Sequence, residues 1–204
     1  MLKSTQALLD AIDGVAYLLD LEDRIAAYGR PNWERFARGN DAPELLDPDR
    51  VLGRRLFDFV QGEEVRDVYA RILKDIRSGA AESVTIPFRC DSPRLRRELR
   101  MSIAPVLRGP DQIGCLFCST AIAEDERPPI DLYDFKALAE AWAAHTQRPL
   151  VAMCSFCQRV RSGETGEEWA EAEDYYRAGG TSAVAISHGV CPACVSKVED
   201  ALAA

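Results

Sequence analysis

The chain has 204 residues, a formal net charge of −8 and 47% hydrophobic residues. Nucleic acid and anionic membrane surfaces are disfavoured as main partners, because both are bound by clustered Lys and Arg. No stretch approaches the roughly 20 apolar residues that span a bilayer, so we expect a protein that acts in solution. The length and apolar content suit one large or two small domains.

Mixed α and β patterns occupy the first part of the chain. Gly14–Asp20 and Arg24–Tyr28 predict two short strands joined by a tight turn. Pro31 suits the first turn of a short helix that carries Trp33 and Phe36.

A longer helix and three strands are predicted next. Apolar residues at three- and four-residue steps indicate a helix over Glu63–Arg77. Residues 83–90, 95–103 and 112–121 alternate apolar and polar side chains, which is typical of strands with one buried face. The arginines on the second strand, such as Arg100, are expected on a solvated sheet face rather than in a ligand clamp.

The apolar alternation stops at Ala123–Asp131, a charged stretch with paired prolines that suits a linker. Asp131 suits the N-cap of a connecting helix that ends before Pro149. This helix would carry Leu132, Phe135, Leu138, Ala139 and Trp142 on one face. We therefore expect a domain over 1–123, a linker and connecting helix over 124–149, and a cysteine-rich module over 150–204.

Two C-x-x-C turns, Cys154/Cys157 and Cys191/Cys194, form the most specific motif of the chain. Each turn directs two sulfurs at a common centre, and four thiolates close a tetrahedral zinc site without an open coordination position. We therefore predict structural rather than catalytic zinc. His188 raises the alternative of a Cys3His site, but we favour four cysteines, with His188 as an outer donor or packing residue.

Two other chemistries also suit four cysteines. A disulfide pair needs an oxidising compartment, whereas the chain begins without an apolar signal segment, and we expect a cytoplasmic location. An iron–sulfur cluster also takes four thiolates, and spacing alone does not exclude it. Cys115 and Cys118 repeat the spacing, but residues three apart on a strand face opposite ways. These two and Cys90 are expected to be structural.

The segment between the two knuckles predicts a helix with Trp169, Ala172 and Tyr176 on one side. Gly179-Gly180 ends that helix, and Ser182–Ile186 forms a short strand. A module this small buries little core, and metal binding commonly supplies roughly 10 kcal/mol or more of apparent folding free energy. We expect this module to unfold without metal.

The element order over about Asp10–Ala121 resembles the PAS domain, a sensory module of bacterial signalling proteins. The resemblance rests on Ala11–Asp20, on Val51–Phe59 before the long helix, and on Ile113–Phe117 in the last strand. It implies an α+β fold with a five-stranded antiparallel sheet and flanking helices. It also implies that Ser4–Ala11 forms a helix of the kind through which such domains often dimerise.

Residues that this chain lacks narrow the choice among the cofactors that PAS-like proteins bind. The flavin-binding branch has a cysteine just before the long helix, where this chain has Arg54–Asp58. The haem-binding branch uses a histidine on the long helix or the next strand, whereas the two histidines here are His145 and His188. We expect neither flavin nor haem, and both an apolar ligand pocket and a filled core remain open. The residues that would line either one are Tyr17, Trp33, Phe36, Tyr69, Ile72, Phe88, Met101 and Phe117.

The second half also resembles a known unit. Cys154-x-x-Cys157, Trp169, Tyr175-Tyr176 and Ser187-His-Gly-Val-Cys191-Pro-Ala-Cys194 are similar to the cysteine-rich tail that follows PAS, GAF or receiver domains in many bacterial signalling proteins. This resemblance implies a small zinc-stapled α/β module and a signalling context rather than a reaction.

These patterns together predict a cytoplasmic bacterial signal-transduction protein that is not an enzyme. The PAS-like domain would sense a small molecule or mediate homodimerisation, and the zinc module would contact a protein partner. The alternative is a thiol-based redox or metal sensor in which oxidation of the cysteines releases the metal.

Overall fold

The computed structural model of the chain describes residues 2–134, 138, 148–162 and 168–203. The helices are α1 (Leu2–Ala11), α2 (Arg30–Gly39), α3 (Glu63–Ser78), α4 (Ala172–Arg177) and α5 (Pro192–Ala203). The strands are β1 (Val15–Leu19), β2 (Ile25–Tyr28), β3 (Val84–Arg89), β4 (Leu95–Arg108), β5 (Asp111–Glu126), β6 (Leu150–Cys154), β7 (Val160–Ser162) and β8 (Ala185–Gly189). Short 3₁₀ helices lie at Pro43–Leu46, Pro48–Arg50, Leu56–Asp58 and Asp131–Tyr133.

Five strands form one antiparallel sheet in the order β2-β1-β5-β4-β3. The last of these strands, β5, lies in the centre, so the β1–β2 hairpin joins the β3–β4–β5 meander through the β1–β5 pair. Helices α1 and α2 contact β2 and β1, while α3 contacts β4. The fold is α+β and PAS-like, as the sequence predicted.

A second, three-stranded sheet carries the cysteine-rich module, with β6 antiparallel to β7 and parallel to β8. The sequence predicted β8, although the strand begins at Ala185 rather than Ser182 and continues to Gly189. Trp169, which was predicted within a helix, precedes α4. Strands β6 and β7 and helix α5 were not predicted. Gly179, with φ of 91°, follows the end of α4 as expected.

Helix α3 confirms the predicted long helix to within one residue at its end. Its buried face carries Val65, Ile72, Leu73 and Ile76. Gly79, with φ of 75°, ends the helix in the left-handed conformation that glycine adopts without steric cost.

The predicted alternation is present along β4, where Leu99, Met101 and Ile103 are buried and Arg100 is exposed. Two other arginines of β3 and β4 are buried. Arg89 on β3 and Arg97 on β4 are each only 8% exposed. Arg89 is covered because the cysteine-rich module packs against the end of β3, and its charge is balanced there by carboxylates.

Strand β5 continues beyond its predicted end at Ala121 as far as Glu126, because it remains paired with β4 up to Leu95. The first part of the predicted linker is therefore strand. Of the predicted connecting helix, Asp131–Tyr133 forms a 3₁₀ helix with Leu132 buried. Of the rest of that predicted helix, the structure describes only residues 134, 138 and 148, so the three-segment division stays a prediction.

One hydrophobic core joins the PAS-like sheet to the cysteine-rich module. It includes buried side chains of the sheet and α3, such as Phe117 and Ile72, together with Phe156 and Val198 of the module. A smaller core lies under the second sheet, with members that include Ile130, Leu132, Tyr133, Val151, Met153, Val160, Ala172 and Val184. The two halves of the chain therefore share buried surface.

None of the helices in the described ranges is long and apolar enough to span a membrane.

Candidate metal centre and its junction with the sheet

The four knuckle cysteines converge on one point. The sulfurs of Cys154, Cys157, Cys191 and Cys194 all lie within 4.8 Å of one another. The Cys157 and Cys191 sulfurs are 3.5 Å apart, and the backbone N–H of Cys191 donates to the Cys154 sulfur at 3.4 Å. Four convergent thiols with a backbone donor aimed at one of them match the donor set of a tetrahedral thiolate metal site.

The parallel pairing of β6 with β8 brings the two knuckles together. Cys154, the last residue of β6, pairs with Gly189, the last residue of β8. Both strands therefore end on the same side of the sheet, and each continues into its knuckle. The first knuckle closes with a bond from the Gln158 N–H to the Cys154 carbonyl oxygen at 2.9 Å, and Gln158 has φ of 58°. The second knuckle leads into α5.

Hydrogen bonds among the sulfurs shift the pKa values of three of these thiols. Hydrogen bonds from Cys157 and Cys194 lower the pKa of Cys154 well below its usual range. The same hydrogen bond raises the pKa of Cys157 to about 12, and the thiolate of Cys154 also raises the pKa of Cys194. Metal binding requires deprotonated thiols, and four convergent sulfurs with a backbone donor aimed at one of them fit a structural metal.

The other candidate ligands lie outside this group. His188 is on β8 opposite Met153, and burial lowers the pKa of its imidazole. It lines a cavity of about 500 Å³ beside Tyr69 and the first knuckle. Cys115 and Cys118 lie on β5 of the larger sheet and are not members of the four-sulfur group.

An aromatic contact packs the first knuckle against α3. The ring of Phe156, which is buried between the two cysteines of that knuckle, lies 5.9 Å from the Tyr69 ring. The Arg89 N–H at the end of β3 donates to the Phe156 carbonyl oxygen at 2.6 Å. The knuckle is thus fixed to both the long helix and an edge strand of the sheet.

A buried ion cluster extends this junction. Arg89 pairs with Asp91, and its other amine nitrogen lies 2.6 Å from Glu171 at the start of α4. Arg127 lies 2.9 Å from the same Asp91 carboxylate. The Asp91 N–H also donates to the Gln158 side chain at 2.8 Å. Sequence reasoning missed this cluster, since an arginine on a strand is normally solvated and nothing local marks its distant partners.

The eight residues predicted to line a pocket or a filled core are mostly brought together. Tyr17 stacks on Phe117 with ring centroids 4.9 Å apart, and Trp33 meets Tyr17 edge-on at 6.1 Å. Tyr69 lies 6.4 Å from Phe117, and burial raises its pKa to about 12. Ile72, Met101 and Phe88 belong to or pack on the same core. Phe36 lies apart, with its ring beneath Arg97.

No protein-family model and no curated protein matches the chain. Among solved structures, the chain is 14% identical to the PAS domain of BvgS from Bordetella pertussis, covering 71% of this chain and 98% of that one with a TM-score of 0.47. It is 13% identical to a sensory box sensor histidine kinase from Vibrio cholerae, with 59% and 91% covered and a TM-score of 0.40. It is 15% identical to the LOV protein of Rhodobacter sphaeroides, with 70% and 76% covered and a TM-score of 0.42. The five-stranded antiparallel sheet with flanking helices is the arrangement that the resemblance of the sequence to PAS domains implies.

Proposed function

We propose that this chain is a cytoplasmic signal-transduction protein in which a PAS-like sensory fold is coupled to a zinc-stapled module that contacts a protein partner. The observation that carries the proposal is the direct junction between the two parts. Phe156 of the first knuckle packs on Tyr69 of α3, and Arg89 of β3 bonds to its backbone. A change in the packing of the sensory fold therefore reaches the cysteine cluster through contacts of rigid elements.

Zinc in this proposal is structural and is held by Cys154, Cys157, Cys191 and Cys194. Bound zinc would be coordinated by all four sulfurs and would link the end of β6 to the end of β8. A tetrathiolate centre has no open coordination position for a substrate, which supports a binding role rather than an enzymatic one. Cysteines that bind zinc must stay reduced, and a reducing compartment keeps them so, which supports the cytoplasmic placement.

Homodimerisation through α1 is part of the proposal. Leu8 on this helix is 70% exposed, so an apolar side chain is presented to solvent. Light scattering coupled to size-exclusion chromatography is expected to give the mass of a dimer for the parent and of a monomer for Leu8→Glu. A monomeric parent would remove dimerisation from the proposal.

The test combines metal analysis with hydrogen exchange on the full chain purified without added metal. We expect one zinc per chain, and we expect a chelator to speed amide exchange in β3 and α3 as well as in the knuckles. Exchange in β3 and α3 that does not respond to metal removal would show that the two parts are not coupled, and the proposed function would fall.

A thiol sensor is the second candidate, and one observation favours it. The Cys157 sulfur is only partly buried and lies 3.5 Å from that of Cys191. Peroxide would oxidise these two thiols to one disulfide and be reduced to water, and the metal would lose two of its ligands. Stoichiometric zinc release on peroxide treatment, together with altered self-association, is expected for a sensor. Retention of zinc at micromolar peroxide would exclude it.

A further inference from the structure

A second cavity lies at the end of the five-stranded sheet, and none of the four knuckle cysteines lines it. It has a volume of about 480 Å³ and lies between α2 and the adjoining ends of β1, β4 and β5. Its apolar wall includes Phe36, Leu95 and Leu99. The volume lies within the roughly 300–1,000 Å³ that small-molecule sites commonly have. Of the eight residues predicted from sequence to line a ligand pocket, only Phe36 lines this cavity.

Arg97 is the buried charged residue of this cavity. Its side chain is 8% exposed, and one amine nitrogen donates to Asn40 Oδ1 at 2.6 Å. The guanidinium carbon lies 5.6 Å from the centre of the Phe36 ring. The Nε atom is buried and finds no hydrogen-bond acceptor in the described part of the chain. The guanidinium is thus held in place while one of its donors is left unused.

The charge of Arg97 is also left without an ion-pair partner among the described side chains. Glu124 lies opposite Arg97 in the β4–β5 ladder, but its side chain is exposed and makes no ion pair with it. The Asp91 carboxylate accepts a hydrogen bond from the backbone N–H of Arg97 but does not contact its guanidinium. The charge of Asp91 is paired with Arg89 and Arg127 instead. A buried charge without a counter-ion is costly, and an anion in the cavity would remove that cost.

The remaining polar groups narrow the class of anion. Arg35, positioned by Asn32 Oδ1 at 2.9 Å, adds a second cation, and Thr120 contributes a hydroxyl. Two exposed carboxylates, Asp13 and Glu124, also line the cavity and would repel a ligand with several negative charges. One negative charge would balance the Arg97 guanidinium with the least repulsion from these carboxylates, and an apolar body would lie against the Phe36 wall.

We propose that this cavity binds a small monocarboxylate with an apolar body, whose carboxylate pairs with Arg97. The inference rests on the proposed sensory function and gives the chemical class of its input. Asn40 is a positioning residue, because it acts on the ligand only through the Arg97 guanidinium.

Isothermal titration of the full chain with phenylacetate and with its neutral isostere phenylacetamide tests the proposal. We expect phenylacetate to bind roughly tenfold or more tightly than the amide, because only the acid forms the charged pair. Arg97→Met is expected to weaken phenylacetate binding roughly thirtyfold or more, whereas Arg100→Met, on the exposed face of the same strand, is expected to leave it unchanged. Equal binding of acid and amide, or no binding of the acid, would overturn the proposal.

A second variant keeps the test decisive if Arg97→Met does not fold. Asn40→Asp would place a carboxylate beside the Arg97 guanidinium within the protein. This internal counter-ion is expected to abolish phenylacetate binding, while the lost hydrogen bond from the Asn40 amide to the Phe36 carbonyl oxygen offsets its effect on stability. Unchanged binding to Asn40→Asp would contradict the assigned role of Arg97.

The outcomes for this inference and for the proposed function can be told apart. Phenylacetate binding without any effect of chelation on α3 would support the ligand site and remove the coupled signalling role. Chelation that loosens α3 in a chain that binds no carboxylate would support the coupling and remove the assigned ligand class.

Discussion

The Glu64 carboxylate accepts a hydrogen bond from the backbone N–H of Val190 at 3.1 Å, which joins residues 126 positions apart in the sequence. Glu64 lies in the first turn of α3, and Val190 immediately precedes the second knuckle. A Cβ atom on Gly189 would lie 3.1 Å from the same carboxylate oxygen, so glycine leaves room for this bond. The start of the long helix is therefore tied to the entrance of the metal centre.

Replacing Glu64 with alanine is expected to lower stability by about 1 kcal/mol, because the Val190 N–H loses its acceptor. Hydrogen exchange at the Val190 amide should become faster. Glu63→Ala serves as the matched control, since Glu63 lies in the same first turn and contributes equally to the helix dipole. Equal effects of the two substitutions would show that only the dipole matters.

Cys157→Ser is expected to lower the bound metal to well below the stoichiometry of the parent, because a serine hydroxyl does not replace a thiolate ligand. The melting temperature should fall for the whole chain, since Cys191 and Cys194 belong to the shared core. Cys118→Ser, which lies on β5 outside the four-sulfur group, is expected to keep the parent metal content. A Cys157→Ser variant with full metal content would contradict the four-thiolate centre.

Arg89→Met is expected to cost about 3–5 kcal/mol, because it leaves the carboxylates of Asp91 and Glu171 without one of their cations. Arg96→Met removes an arginine of equal size from an exposed pair with Glu98 and is expected to change stability by at most about 1 kcal/mol. Urea unfolding of both variants measures the difference. Similar midpoints would show that the buried cluster does not hold the module to the sheet.

The pH dependence of stability should reveal the contribution of the Glu171 carboxylate. Burial by itself raises the pKa of this carboxyl, but hydrogen bonds from Arg89 and Arg159 outweigh burial and hold the pKa below its usual value. The unfolded chain therefore binds a proton before the folded chain does as the pH falls below about 4.3. The stability that Glu171 contributes is complete at neutral pH and is lost progressively in acid.

Glu171→Gln isolates this contribution, because loss of metal in acid affects parent and variant alike. The difference in unfolding free energy between parent and variant should be constant from pH 7 to about pH 5 and should shrink as the pH falls further below about 4.3. Parallel stability curves over that range would contradict the assignment.

Gly62→Ala is expected to loosen the contact between α3 and β8. Gly62 has φ of 86°, and a Cβ atom there would clash with the carbonyl oxygen of His188. Gly53 has φ of 75°, but no atom lies within 4 Å of its Cβ position. Gly53→Ala thus carries the backbone strain alone, about 1–2 kcal/mol. Thermal unfolding should show a larger loss for Gly62→Ala, and equal losses would indicate that the His188 contact yields freely.

The parts of the fold that were predicted correctly are encoded by local periodicity. Helix α3 has a continuous apolar stripe, and β4 alternates strictly around Met101, so neither depends on knowing its neighbours. The position of the knuckles followed from motif spacing alone.

The parts that were missed depend on distant partners. The apolar run of β6 is short, and it becomes a strand by pairing with β8, whose position depends on the intervening segment. The burial of Arg89 was missed because alternation reports which face of a strand a residue occupies, and not what later covers that face. Glu171, which neutralises Arg89, lies 82 residues away in the sequence.

The ring contact between Tyr69 and Phe156 limits how freely the cysteine-rich module can be joined to other sensory domains. Grafting the cysteine-rich segment behind an unrelated sensor would leave Phe156 without an aromatic neighbour and Glu171 without its arginine, and the exposed apolar patch would favour aggregation. A working chimera would have to import Tyr69 and Arg89 along with Glu64. The transferable unit is thus the tail together with the surface that receives it.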